Sequence, residues 1–219
     1  AYEELAYGDL SAALQLLAPA LFAYPIVIYG TAEQRETYLP MFLEERPAHA
    51  SAALLEPGVF FDPNDLKTTA TPNGETVTLN GSKVYVPLAA TADYFLIYAK
   101  NTETGKHEAY IVNCEAKGVT VGKREGLMGV RALPTHHLTL HDVVVNASCR
   151  VGGAVGIDYE ALLNRSRVAL GALAVGVAKA AYDYAREYAK QRVQFGAPIA
   201  TKQAIAFMLA EMAIEVDAA

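Results

Sequence analysis

At 219 residues the chain is long enough to bury a hydrophobic core, as one large domain or two small ones. Its net charge of −6, without any run of Lys or Arg, excludes the electrostatic footprint of a nucleic-acid or anionic-membrane binder. Two cysteines with no C-x-x-C spacing, Cys114 and Cys149, offer no disulfide framework and point to a reducing compartment.

Residues 1–48 read as helix. Tyr2, Leu5 and Ala6, then Leu10, Ala13, Leu14 and Leu17 recur at spacings of three and four. Residues 10–32 carry no charge and are long enough to cross a bilayer. Ser11, Gln15, Pro19 and Pro25 interrupt the run, and the prolines are expected to end helices, which predicts a pair of buried helices rather than a membrane span. Thr31 is positioned to cap a short amphipathic helix with Glu33 in its first turn and Pro40 at its close.

The period changes at His49. SAALLE, TVTLNG, SKVYVPLA, YFLIYAK, EAYIVNC, VTVGKRE and HLTLHDVVV are strand-length runs rich in Val, Ile, Tyr and Thr. Asn73-Gly74 and Asn80-Gly81 both have the tolerance of positive φ that tight hairpins need, and residues 101–106 form a polar loop. An antiparallel β domain over residues 49–155 is expected.

Helical patterning returns near Ile157 and continues to Gln191, with Gly171 and Gly176 inside. Interior glycines cost about 1 kcal/mol each relative to Ala, so both are expected where another helix backbone packs close. Phe195-Gly196-Ala197-Pro198 breaks the helix, and Thr201 is expected to cap a last one carrying Ile205, Leu209, Met212 and Val216. Neither Ala1 nor Ala219 meets a helix cap, so a piece of a longer protein, or a chain that needs partner segments, is expected. The predicted organisation is an N-terminal helical segment (1–48), a middle β domain (49–155) and a C-terminal helical segment (156–219), an α+β fold.

Few constellations suggest chemistry. His137 and His141 share a strand face but stand about 13 Å apart, and His136 points the other way, so surface histidines are expected and no metal site. The glycines of GGAVG (152–156) lack the lysine of a P-loop and the spacing of a dinucleotide fold, which leaves a connecting loop. No G-x-S-x-G is present, and neither cysteine has a histidine nearby in sequence. RVQFGAPIA, from Arg192, differs: an arginine at the end of a long helix, followed by Gln194, Phe195 and a turn, can aim a planar fork at a phosphate.

Taken together, YPIVIYGTAEQRETYLP, LLEPG with Asp62 and KTTA, LNGSKVYV, ADYFLIYAK, GVTVGKREGLMGVRALPT, LHDVVV and YAKQRVQFGAPIATKQAIAFMLAEMA resemble the acyl-CoA dehydrogenase family in order and spacing, with the opening and closing helices lacking. The resemblance implies N-terminal helices, a middle antiparallel β domain and an incomplete C-terminal helical bundle. It implies a cytoplasmic or mitochondrial-matrix flavoprotein oxidoreductase of fatty acid metabolism, a homo- or hetero-oligomer that desaturates acyl-CoA thioesters at the α,β bond. FAD is the implied cofactor, held by this chain or shared across a subunit interface.

Carried over position by position, Arg192, Gln194, Phe195 and Gln203 match the segment that reaches the neighbouring subunit's FAD, and Asn164, Ser166 and Arg167 match a segment that contacts CoA. No carboxylate matches the catalytic base, and Ser166 stands where a minority of the family carries it. The flavin loop departs from the pattern: Leu55 stands for Thr, Phe60 and Phe61 for Gly-Ser, and Tyr85-Val86-Pro87 for Trp-Ile-Thr or Ser. Three hydroxyl or N–H contacts at ~0.5–1.5 kcal/mol each are thereby lost. The two rings are expected to fill the flavin crevice, which motivates an alternative: a non-catalytic partner subunit that lends Arg192 to a catalytic mate.

Overall fold

The computed structural model describes all 219 residues and divides into two compact units, residues 14–162 and residues 1–13 with 163–219. In chain order come helices α1 (Tyr2–Gly8), α2 (Leu10–Tyr29) and α3 (Ala32–Tyr38). Strands β1 (Ala50–Ala53), β2 (Thr69–Asn73), β3 (Thr76–Pro87), β4 (Tyr94–Asn101), β5 (His107–Asn113), β6 (Val119–Arg124) and β7 (Thr135–Asn146) follow. The chain ends with α4 (Tyr159–Gln191), a short hairpin of β8 (Val193–Gln194) and β9 (Ala197–Pro198), and α5 (Gln203–Ala218).

The 14–162 unit is built on one sheet ordered β1-β4-β2-β3-β7-β6, with β5 paired to β4. The expectation of an antiparallel domain is corrected in two pairs: β1 and β2 both run parallel to β4. Long connections from β1 and β2 to β4 allow this, since parallel pairing needs a crossover and not a tight turn. β4 is covered on both faces. Phe95, Ile97 and Ala99 enter one apolar cluster with Leu79, Leu138 and Val143, whereas Leu96 and Tyr98 enter a second with Phe22 and Ile26 of α2. A strand buried on both sides needs no alternation, hence the continuous run YFLIYA.

Pro19 and Pro25 do not end helices; α2 runs through both. Each proline removes the bond to the carbonyl four residues back, at Gln15 and Leu21, and both of these residues are exposed, so water can satisfy the freed oxygens. Ala18, Phe22 and Ile26, one apolar stripe at i, i+4 and i+8, are fully buried and hold the helix in place. By length and apolarity alone α2 and α4 could each cross a membrane, but in α2 that stripe belongs to a protein core.

Thr31 caps α3 as expected, in a capping box with Gln34. Asn73-Gly74 makes the β2–β3 hairpin, with Gly74 at φ +62°. Asn80-Gly81 does not turn. It sits inside β3 at a bulge against β7, where Asn80 and Asp142 exchange two hydrogen bonds of 2.8 and 3.0 Å. Gly81 is required there because a Cβ would lie 2.7 Å from the Thr68 Cα. His136 is also corrected: it is buried, opposite Val86 and Arg124, whereas His141 is exposed.

In the other unit, Gly176 packs as expected against α1, its Cβ position 2.2 Å from the Glu3 carbonyl oxygen; Gly171 has nothing within 4 Å and is a correction. Lys179 pairs with Glu3, and the Tyr7 hydroxyl donates to Asp183. Thr201 does not cap α5: its hydroxyl donates to the Pro198 carbonyl at 2.7 Å, and Lys202 occupies the N-cap.

Candidate functional site

Within the 14–162 unit, three stretches meet at the end of β3. The Val84 N–H donates to the Leu55 carbonyl at 2.9 Å, joining β3 to the 54–62 loop. The Tyr85 N–H donates to the Glu125 carboxylate at 3.1 and 3.3 Å, and Leu88 N–H to the Pro134 carbonyl at 2.8 Å. A β-bulge falls between Lys83 and Val86, and Tyr85 and Leu88 both take φ +54°. Such backbone strain concentrates where a fold displays side chains for use. Here it displays a ledge of Leu55, Tyr85 and Pro87, with Leu55 and Tyr85 about half exposed, beside a cavity of about 460 Å³ lined by Glu125, Leu127, Val130, Arg131 and Leu133.

The base of the ledge is an ion pair. Lys83, with no exposed surface, lies 2.8 Å from Glu56 and also donates to the Leu54 carbonyl at 3.1 Å. The Glu56 carboxylate further accepts the Lys67 and Thr68 N–H groups at 2.6 and 2.9 Å, closing the neck of the loop between them. Burial pushes the Lys83 ammonium down to about 8 against the upward pull of Glu56. Burial acts to raise the Glu56 carboxyl, but the hydrogen bonds from Lys83, Thr68 and Lys67 outweigh it and hold the group below its ordinary value. Sequence reasoning missed this pair. Its signal was the parity of β3, where Lys83 falls on the inward positions of Val77 and Leu79.

The crevice-filling role expected of the two phenylalanines is corrected. Phe60 is 95% exposed at the loop tip beside Val59. Phe61 packs on the core formed by Phe22, Leu66 and Leu96, on the far side of a bend over residues 57–60. Neither ring covers the ledge. The backbone from Val84 to Leu88 offers little to the ring's polar edge: the Val84, Tyr85 and Leu88 N–H groups are already bonded and Pro87 has none.

The other predicted residues lie in the second unit. Arg192, Gln194, Phe195 and Gln203 are all exposed. Gln194 pairs with Ala197 across a two-residue turn in which Phe195 (φ +55°) and Gly196 (φ +79°) are both left-handed, the geometry of a type I′ hairpin. The turn presents the Phe195 ring 88% exposed, and the Arg192 carbonyl accepts the Ile199 N–H at 2.8 Å, fixing the base of the hairpin. On α4, Arg167 donates to the Asn164 side chain at 2.9 Å, so these two share a face; Ser166, two residues from Asn164, points away from it. The two groups are not brought together. With Asn164 near the start of α4 and Arg192 just past its end, a rise of ~1.5 Å per residue separates them by roughly 40 Å.

Family models match in three consecutive blocks. The acyl-CoA dehydrogenase N-terminal domain matches residues 1–46, the middle domain residues 51–143 and the C-terminal domain residues 157–219. A short-chain specific acyl-CoA dehydrogenase of Megasphaera elsdenii is 37% identical over 226 residues, covering 100% of this chain and 59% of the relative. The CarC subunit of the caffeyl-CoA reductase-Etf complex of Acetobacterium woodii is 37% identical, covering 99% and 59%. Among solved structures, butyryl-CoA dehydrogenase from Megasphaera elsdenii superposes with a TM-score of 0.84 at 35% identity, covering 99% of this chain and 58% of that one. A glutaryl-CoA dehydrogenase from Mycobacterium smegmatis in complex with FADH2 gives 0.86 at 26% identity, covering 99% and 56%. The chain thus spans about three fifths of the length of the relatives it matches.

Proposed function

The chain belongs to the acyl-CoA dehydrogenase family, and from that premise we propose that it serves a flavoprotein oxidoreductase which desaturates an acyl-CoA thioester between its α and β carbons. FAD, when bound, supplies the acceptor for the hydride that leaves the β carbon. Leu55, Tyr85 and Pro87 would back the plane of the ring, and Arg192, with Gln194, Phe195 and Gln203, would meet the polar parts of a flavin dinucleotide. Asn164 and Arg167 would meet the CoA portion.

The observation that carries this reading is the hairpin at residues 192–198. A two-residue turn that holds a phenylalanine in the left-handed region and leaves its ring 88% exposed is costly in isolation, because apolar surface is left in water and the backbone is strained. Contact with a second subunit and its cofactor offsets both. The separation along α4 supports the same arrangement: one cofactor molecule does not span roughly 40 Å, so the two ends of the helix serve different sites. An oligomer in which each chain completes a neighbour's flavin site follows.

In this reading the named residues bind and orient. Glu125, in the cavity beside the ledge, accepts the Tyr85 N–H, and Ser166 has no acid function. A second reading, a partner subunit that lends Arg192 without turning over itself, draws on the same hairpin. The two separate by stoichiometry. A yellow protein with one FAD per chain supports the enzyme; a colourless protein that turns yellow only with a different flavoprotein subunit supports the partner.

A further inference from the structure

We propose that Glu56 and Lys83 are positioning residues, a buried clamp that fixes the Leu55–Tyr85 ledge and the neck of the 57–66 loop so that a flavin ring meets a preformed surface. The inference rests on the flavoprotein reading above and goes further by assigning the geometry of the site to two residues that touch neither cofactor nor substrate.

The clamp ties three segments at one point. Lys83 Nζ binds the Glu56 carboxylate at 2.8 Å and the Leu54 carbonyl at 3.1 Å, on either side of Leu55. Glu56 holds the Lys67 and Thr68 N–H groups, so that the eleven- and twelve-residue separations they bridge are closed by one side chain. Lys83 is also the last residue before the bulge that turns Tyr85 outward, and the next residue, Val84, bonds back to Leu55. Remove the clamp, and Leu55 and Tyr85 lose the contacts that set their spacing.

Stability alone does not account for such a pair. Desolvating two charges consumes most of what their attraction returns, and buried ion pairs are commonly replaceable by neutral groups of similar shape without loss of stability. Fixed geometry around a binding surface is the better explanation, since a ledge displaced by a fraction of an ångström no longer complements a rigid planar ligand.

The test is the double variant Glu56→Gln with Lys83→Met, which leaves no unpaired buried charge; Lys83→Met alone would strand Glu56 and confound folding with positioning. In the full chain, at the oligomeric state of the wild type, thermal stability should stay close to wild type while FAD affinity, read by titration of the flavin absorbance band, falls about tenfold or more. The visible circular dichroism of the bound flavin should change with it. Amide exchange at Lys67, Thr68 and Val84 should quicken by about tenfold or more in the apo protein. Wild-type FAD affinity, flavin dichroism and amide exchange in a stable double variant overturn the proposal. If the wild type binds no FAD, the flavoprotein reading fails separately, and the clamp is then judged on amide exchange: acceleration supports it and unchanged exchange overturns it.

Discussion

Phe60 and Phe61 are neighbours in sequence with opposite surroundings: the first is 95% exposed, the second packs on the cluster of Phe22, Leu66 and Leu96. Their substitutions should therefore separate cleanly. Phe60→Gly is expected to change stability by no more than about 0.5 kcal/mol, as at other exposed positions. Phe61→Ser removes a packed ring and should cost about 2–3 kcal/mol. Denaturant unfolding of the two single variants reads both. An FAD titration of Phe60→Gly should match wild type, because the ring does not obstruct the ledge.

Three glycines of this chain predict two opposite outcomes for one substitution. Gly171→Ala, in a helix with nothing within 4 Å, should raise stability by up to about 1 kcal/mol through helix propensity. Gly176→Ala places a methyl 2.2 Å from the Glu3 carbonyl oxygen, and Gly81→Ala combines φ +151° with a contact of 2.6 Å to Thr68. Both should lose about 2 kcal/mol or more, as overpacked or strained sites do. Thermal melts of the three variants check the order.

Gln34 makes a prediction about a polar core. It is buried, donates to the Ser148 and Arg150 carbonyls at 2.8 Å each, and accepts from the Thr31 and Gly152 N–H groups. Gln34→Ala strands these partners and should cost about 3 kcal/mol, more than a surface cap would, because each buried group left unpaired carries its own penalty. A calorimetric transition shifted down in proportion would agree, and a change under about 1 kcal/mol would contradict it.

The Lys83–Glu56 pair predicts stability that rises with pH in two separate windows, one alkaline and one acid. Lys83 titrates near 8 when folded and near 10.5 when unfolded, so between those values the unfolded chain binds the proton that the folded chain has lost. Its contribution makes stability climb with pH across that window, by no more than about 1.4 kcal/mol per unit. Glu56, held below its ordinary value of 4.5, contributes stability that is lost as pH falls from there through its folded value. The ammonium is bonded to the Glu56 carboxylate and the uncharged Leu54 carbonyl, and His107 lies within its field. Subtracting the unfolding curve of the Glu56→Gln, Lys83→Met variant from that of the wild type at each pH should leave both slopes.

How much of this was legible depended on whether the cause lay nearby in sequence. The N-cap at Thr31 and the turn at Asn73-Gly74 are legible in the sequence because their partners are local, although the Gln34 half of the capping box was not read. Asn80-Gly81 has the same composition as that turn, and only the approach of Thr68 makes it a bulge. Pro19 and Pro25 carry the usual helix-breaking signal, which the buried stripe of Ala18, Phe22 and Ile26 overrides. At the site, the exposed hairpin of Arg192 and Phe195 was visible as a motif. The ledge was misjudged because the facing of Phe60 and Phe61 is decided by a core assembled from residues as far apart as Phe22 and Leu96.

We propose a flavin site completed between chains, and the most direct measurement of it is FAD retained per chain, by absorbance, as a function of oligomeric state in the wild type and in Arg192→Ala. One FAD per chain in the wild-type oligomer, lost on dilution to the monomer and weakened by about tenfold or more in Arg192→Ala, is the predicted result. Flavin held equally well by isolated monomers and by Arg192→Ala would contradict it.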